Sequence, residues 1–118
     1  MDPIRFVTHQ GQRILLLDFR ETTPDQVAEL SARVPEVITR EPKGSVLVVA
    51  DFSGVTFSRD AVERIKIATA IDRPHIKRAA WVLTENLPKA LYDSIRSFSA
   101  RDIPVFDTRD KAMDYLVS

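Results

Sequence analysis

The stretch that decides the fold is SVLVVADFSGVTFSRD, residues 45–60. Its first half, SVLVVADF, is apolar almost without alternation. A strand with one wet face alternates polar and apolar residues, whereas a strand covered on both faces does not. Residues 45–52 therefore read as an interior strand of a parallel sheet. The second half is a turn that hands over to a helix. From Ser58 to Asp72 the residues Ala61, Val62, Ile65, Ala68 and Ile71 form one apolar stripe, with Arg59, Glu63, Arg64 and Lys66 mostly opposite it.

The same alternation of buried strand and amphipathic helix extends in both directions. Upstream, IRFVTH (4–9) and RILLLDF (13–19) flank QGQ, where Gly11 can supply positive φ, and read as a β-hairpin. In TTPDQVAELSARV, Thr23 is a helix cap, Pro24 suits the first helical position and Gln26 completes a capping box. Val27, Leu30 and Val34 follow at helical spacing. Pro35 disfavours helical geometry at Val34, which predicts a bend there and a separate short turn over PEVIT. Downstream, RPHIK (73–77) reads as a connector and AAWVLT (79–84) as a second buried strand that takes Trp81 into the core. Asn86 caps an expected helix over 87–100, carrying Leu91, Ile95 and Phe98. PVFDT (104–108) is a short strand, and Asp107 or Thr108 opens a last helix with Ala112, Tyr115 and Leu116. The order is ββαβαβαβα: an N-terminal hairpin, then a mostly parallel sheet with helices packed on it. One α/β domain over 1–118 is expected.

Bulk properties narrow the function. The 118 residues are 44% hydrophobic and 29% charged, with a formal net charge of zero, so neither nucleic acid nor an anionic membrane is favoured as a partner. There is no cysteine, which removes disulfides, thiolate nucleophiles and thiolate metal sites. The start, MDPIRF, is not a charged leader followed by an apolar stretch. The apolar runs also fall short of the roughly 20 residues needed to span a bilayer. A cytoplasmic protein is the expectation.

Chemical motifs are sparse. Three glycines, at 11, 44 and 54, cannot write a P-loop or GxGxxG, and no GxSxG elbow occurs. His9 and His75 match no metal-ligand spacing, so no metal or cofactor is expected. His75 lies in a cationic segment with Arg73, Lys77 and Arg78, which reads first as solvated loop and, as the alternative, as a site for an anion or an acidic partner. Strand ends are where a parallel sheet gathers functional groups, and here they carry Asp18, Asp51 to Ser58, Thr84 to Asn86, and Asp107. Asp51 invites comparison with a receiver domain's phosphoacceptor. That chemistry needs an acidic pair for magnesium and a lysine on a later strand, and Asp18 stands alone while 104–107 has no lysine. Asp51 therefore reads as an acceptor for amides of its own turn, and Ser58 as a helix cap. A phosphate on Ser58 would also suit a helix N-terminus.

A buried strand ending in D-F-S-G-V-T-F, followed by a helix within ββαβαβαβα, resembles the STAS domain. RPHIKRAAWV (73–82) and RDIPVFDTRDKAMDYL (101–116) are similar to the bacterial SpoIIAA-like, or STAS/SEC14-like, family. The resemblance covers nearly the whole chain and is densest from Val46 to Leu116. It implies a non-enzymatic interaction module related to the anti-sigma factor antagonists, in which a serine in a D-S-S-G-like motif after this turn is phosphorylated to switch off partner binding. This chain departs from that motif, reading Ser58-Arg59-Asp60-Ala61-Val62, with Asp60 nearest the switch position. Ser58 is the only nearby hydroxyl left as a candidate phosphosite.

The expected protein-binding residues are Ser53, Thr56, Ser58, Arg59, Asp60 and Arg64. No catalytic residue is assigned. The SEC14-like side of the resemblance implies, as the alternative, a carrier for a small apolar or anionic ligand in a pocket of about 300 Å³ at the strand ends. IRFVTH is an edge strand that must be covered or paired, which makes a homodimer a further expectation.

Overall fold

The computed structural model describes residues 2–83, 93 and 103–118. The hairpin forms from β1 (Ile4–His9) and β2 (Gln12–Asp18), joined by Gln10 and Gly11. Both turn residues have left-handed φ, 50° and 78°, as a two-residue hairpin turn matched to strand twist requires. β3 (Val46–Asp51), β4 (Ile76–Val82) and β5 (Val105–Phe106) follow in parallel, giving a five-stranded sheet in the order β1-β2-β3-β4-β5.

The lack of alternation in SVLVVADF has the expected cause. Val46, Val48 and Ala50 point to one face of the sheet, where helices α1 (Pro24–Ile38) and α2 (Arg59–Asp72) supply Val27, Leu30, Val34, Ala61, Val62 and Ile65. Leu47 and Val49 point to the other face and meet Ala112 and Leu116 of α3 (Arg109–Val117). All six residues of β3 are buried. Trp81 is in the core, as expected.

The ends of α1 and α3 follow their sequence signals. Thr23 Oγ1 accepts from the Gln26 amide at 3.2 Å, and the Gln26 side chain accepts from the Thr23 amide at 2.8 Å, so the capping box is complete. Thr108, rather than Asp107, caps α3, accepting from the Lys111 amide at 3.2 Å. Asp107 pairs with Lys111 instead, and that ammonium holds its carboxyl below the usual range.

Four expectations are corrected. Pro35 does not end α1, which runs unbroken to Ile38. Val34 and Ile38 lie one turn apart on the same buried face, and burying both against the sheet outweighs the one N–H that Pro35 withholds. RPHIK is not simply a connector. Arg73–His75 make one 3₁₀ turn, and β4 starts at Ile76, because the Gly44 and Ser45 amides bond the Pro74 and His75 carbonyls and zip the chain onto β3. The last strand is only Val105–Phe106. Finally, Ile71 is not on the buried stripe of α2. It is 48% exposed, and Asp72 takes the buried position at 4%. Residue 72 lies eleven positions after Ala61, just over three whole turns, whereas residue 71 falls about 80° off that line. The helix expected over 87–100 and its Asn86 cap lie outside the described residues.

Candidate functional site

β2 and β3 are paired so that Asp18 and Asp51, their last residues, are register partners. Two carboxylates thus stand side by side at the carboxyl edge of the sheet, an arrangement that needs cationic compensation. Arg109, the first residue of α3, supplies it. Its Nε donates to Asp51 Oδ2 at 2.6 Å, and its Nη2 stands 2.9 Å from Asp18 Oδ2 as an ion pair. Arg20 grips Asp18 with both prongs of its guanidinium, Nε to Oδ1 and Nη2 to Oδ2, each at 3.0 Å. Its Nε also comes within 3.9 Å of Asp51.

Burial pushes the Asp18 carboxyl up, but the bonds from Arg20 and Arg109 outweigh it and hold the group well below the ordinary carboxylate range. The Asp18 hydrogen bond in turn raises the Arg20 guanidinium. Both carboxylates are thereby engaged as acceptors. Guanidinium groups stand where a proton-transfer partner or a cation would have to approach.

Asp51 also organises the turn. Its Oδ1 accepts from the Ser53 amide at 3.0 Å and from the Ser53 hydroxyl at 2.6 Å. The Val55 amide closes a β-turn onto the Phe52 carbonyl at 3.1 Å, with Gly54 at φ 71° in its third position. Beneath the turn, Phe52 stacks on Phe19 at 4.8 Å and meets Trp81 edge-on at 5.2 Å and Phe57 at 5.3 Å. The turn is pinned by a carboxylate above and an aromatic cluster below. Ser58 then caps α2, its Oγ accepting from the Ala61 amide at 3.0 Å.

The residues expected to bind a partner fall into two groups. Ser53 and Ser58 are half-buried and their hydroxyls are committed to the turn and the cap. Thr56, Arg59, Asp60 and Arg64 are exposed, with Arg64 3.8 Å from Asp60 one helical turn away. Continuing that outward side of α2 are Glu63, Ile67, Ala70 and Ile71, and the two isoleucines are 51% and 48% exposed. The exposed face is therefore charged near the turn and apolar towards the C-terminal end of the helix.

A polar cleft of about 880 Å³ opens beside the cluster, lined among others by Arg5, Asp18, Arg20, Gln26, Glu29 and Ser53. Two apolar pockets lie elsewhere, between the helices and the sheet, and measure about 50 Å³ each. Neither matches the apolar pocket of about 300 Å³ expected at the strand ends.

Within the cationic segment, Arg78 is not solvated loop. It bonds the Tyr115 and Ser118 carbonyls at 3.0 and 2.9 Å, and His75 bonds the Glu41 carbonyl at 2.8 Å. Arg109 is the functional neighbour that sequence reading missed. A cation at the first position of a helix opposes the helix dipole, and that mismatch was the available sign of an acidic partner nearby.

The class these features define is an α/β protein with a mostly parallel five-stranded sheet and an ion-clamped turn at its carboxyl edge. No family model matches the chain, and no curated protein or solved structure matches it either. Among the described residues, no helix is long and apolar enough to cross a membrane.

Proposed function

We propose that this protein is a non-enzymatic, STAS-like regulatory domain that binds another protein, akin to the anti-sigma factor antagonists but without their phosphoserine motif. The observation that carries the reading is the outer face of α2. Arg59, Asp60 and Arg64 stand beside a rigid turn, and Ile67 and Ile71 continue the same face, half exposed. Charged residues at the rim and apolar anchors beyond them are what a protein-binding surface needs. The clamped carboxylates support the absence of catalysis, because Asp18 and Asp51 are spent on holding α3 and the turn. Asp60 at the place of the switch serine supplies a fixed negative charge, so binding here does not depend on a kinase.

The test starts by isolating a partner with the intact chain and purifying it. Affinity is then measured against Arg59→Glu/Arg64→Glu and Ile67→Asp/Ile71→Asp variants that retain the parent melting temperature. Loss of at least tenfold in both supports the surface. Unchanged affinity in both overturns it.

A second reading, carriage of a small molecule, draws on the two apolar pockets between the helices and the sheet.

A further inference from the structure

Two buried polar groups open onto one apolar pocket. Ser31 sits in the middle of α1 and is 2% exposed; Asp72 ends α2 and is 4% exposed. Both line a cavity of about 50 Å³ with Phe19, Ala50, Phe52 and Trp81. Among the described residues, neither Ser31 Oγ nor Asp72 Oδ1 has a hydrogen-bond partner. An adjoining pocket of the same size shares Asp72, Leu17, Ala50, Thr69 and Trp81. The Thr69 hydroxyl is already committed, donating to the Lys66 carbonyl at 2.9 Å.

Orphaned groups this deep are uncommon, since nearly all buried polar side-chain atoms find a partner. An apolar residue at 72 would complete the stripe of α2, and a serine in a helix ordinarily turns to solvent or bonds its own backbone. Here a donor–acceptor hydroxyl and a carboxyl are both left open on a wall that is otherwise hydrocarbon and aromatic ring. A hydrocarbon in this space would leave both groups unpaired. An anion would be buried in this pocket with no cation among its lining residues to pair it. A neutral molecule with one hydroxyl satisfies both, because a hydroxyl donates once and accepts as well.

We propose that the paired pockets bind a small neutral alcohol, whose hydroxyl donates to Asp72 Oδ1 and accepts from the Ser31 hydroxyl while its apolar body lies along Leu17, Ala50, Phe52 and Trp81. Each pocket is about 50 Å³, and the two together stay below the 150 Å³ apolar cavity that admits benzene, so the space suits a chain of roughly two or three carbons. This rests on the small-molecule reading above and is independent of the α2 surface.

The experiment titrates 1-propanol into the full chain and follows backbone amide shifts by NMR, for the parent, Ser31→Ala and Asp72→Leu. Saturable shifts at Ser31, Thr69, Asp72 and Trp81, with affinity lowered about tenfold in each variant, are expected for the loss of one well-placed hydrogen bond. Ser31→Ala removes a single atom from the folded chain and decides the question if Asp72→Leu does not fold. Binding at the same residues with equal affinity in the variants would overturn the polar recognition and leave the small-molecule reading standing. Absence of saturable shifts at the cavity would overturn both, the pockets then holding only water.

Discussion

Arg109 Nε donates to Asp51 Oδ2 at 2.6 Å, joining the first residue of α3 to the last residue of β3 across 58 positions of sequence. The Asp51 side chain is only 3% exposed, so its charge depends on that guanidinium and on the Ser53 bonds. Removing one partner of a buried pair leaves an uncompensated charge, which costs about 3 kcal/mol or more. Arg109→Gln is expected to lower stability by that order in urea denaturation, and Asp51→Asn in the same chain to recover part of the loss. A change below about 0.5 kcal/mol, the scale of an ordinary surface substitution, would mean that the clamp is ornamental.

Asp18 makes the fold sensitive to acid. Its folded carboxyl is held below the ordinary value, so the unfolded chain takes up this proton first as pH falls. Its contribution is complete above about pH 5 and is lost as pH drops through the usual carboxylate value towards the folded one. Asp18→Asn is expected to flatten the stability profile between about pH 5 and 3, the window set by those values. The decisive comparison is the slope of denaturation midpoint against pH for parent and variant; equal slopes would reject the assignment.

The hairpin, the capping box of α1, the doubly covered β3 and the Ser58 cap were legible because each follows from local rules of conformation and period. The residues that set the site were less so. Arg109 meets Asp51 only after the sheet is assembled; its place at the start of a helix, against the dipole, hints at an acid nearby without saying which one. Ile71 was placed on the buried stripe by its hydropathy, whereas helix geometry gives that position to Asp72. Pro35 misled in the opposite direction, since a local helix-breaking rule lost to the burial of Val34 and Ile38 on either side of it.

Gly54 is required by backbone conformation alone. A Cβ there would meet nothing within 4 Å, yet φ is 71°. Gly54→Ala therefore measures the cost of the left-handed region without any clash, about 1 kcal/mol. Thermal unfolding should show that loss. A variant as stable as the parent would show that the turn adopts another conformation.

Ser58 separates a capping role from a modification site. Its Oγ holds the Ala61 amide, so Ser58→Ala should cost about 1 kcal/mol, while Ser58→Asp, itself a good cap at the positive end of a helix, should cost only a few tenths. Both are read by denaturation of the purified variants. Equal losses for alanine and aspartate would argue that the hydroxyl serves something other than the cap.

Asp72 sets the stability trend on the other side of Asp18. Burial pushes its carboxyl up to about 7. Below about pH 4 the folded and unfolded chains both hold the proton. Between that value and 7 the unfolded chain releases it and the folded chain does not, so stability falls as pH rises. Above the folded value both are ionised, and the loss is complete by about pH 8. The shift of about three units corresponds to at most about 4 kcal/mol. Asp72→Asn keeps the shape and removes the titration. Its advantage over the parent should be small near pH 4.5 and grow to a few kcal/mol by pH 8, read by urea denaturation across that range. Parallel profiles for the two proteins would show that Asp72 reaches solvent or a partner when ionised.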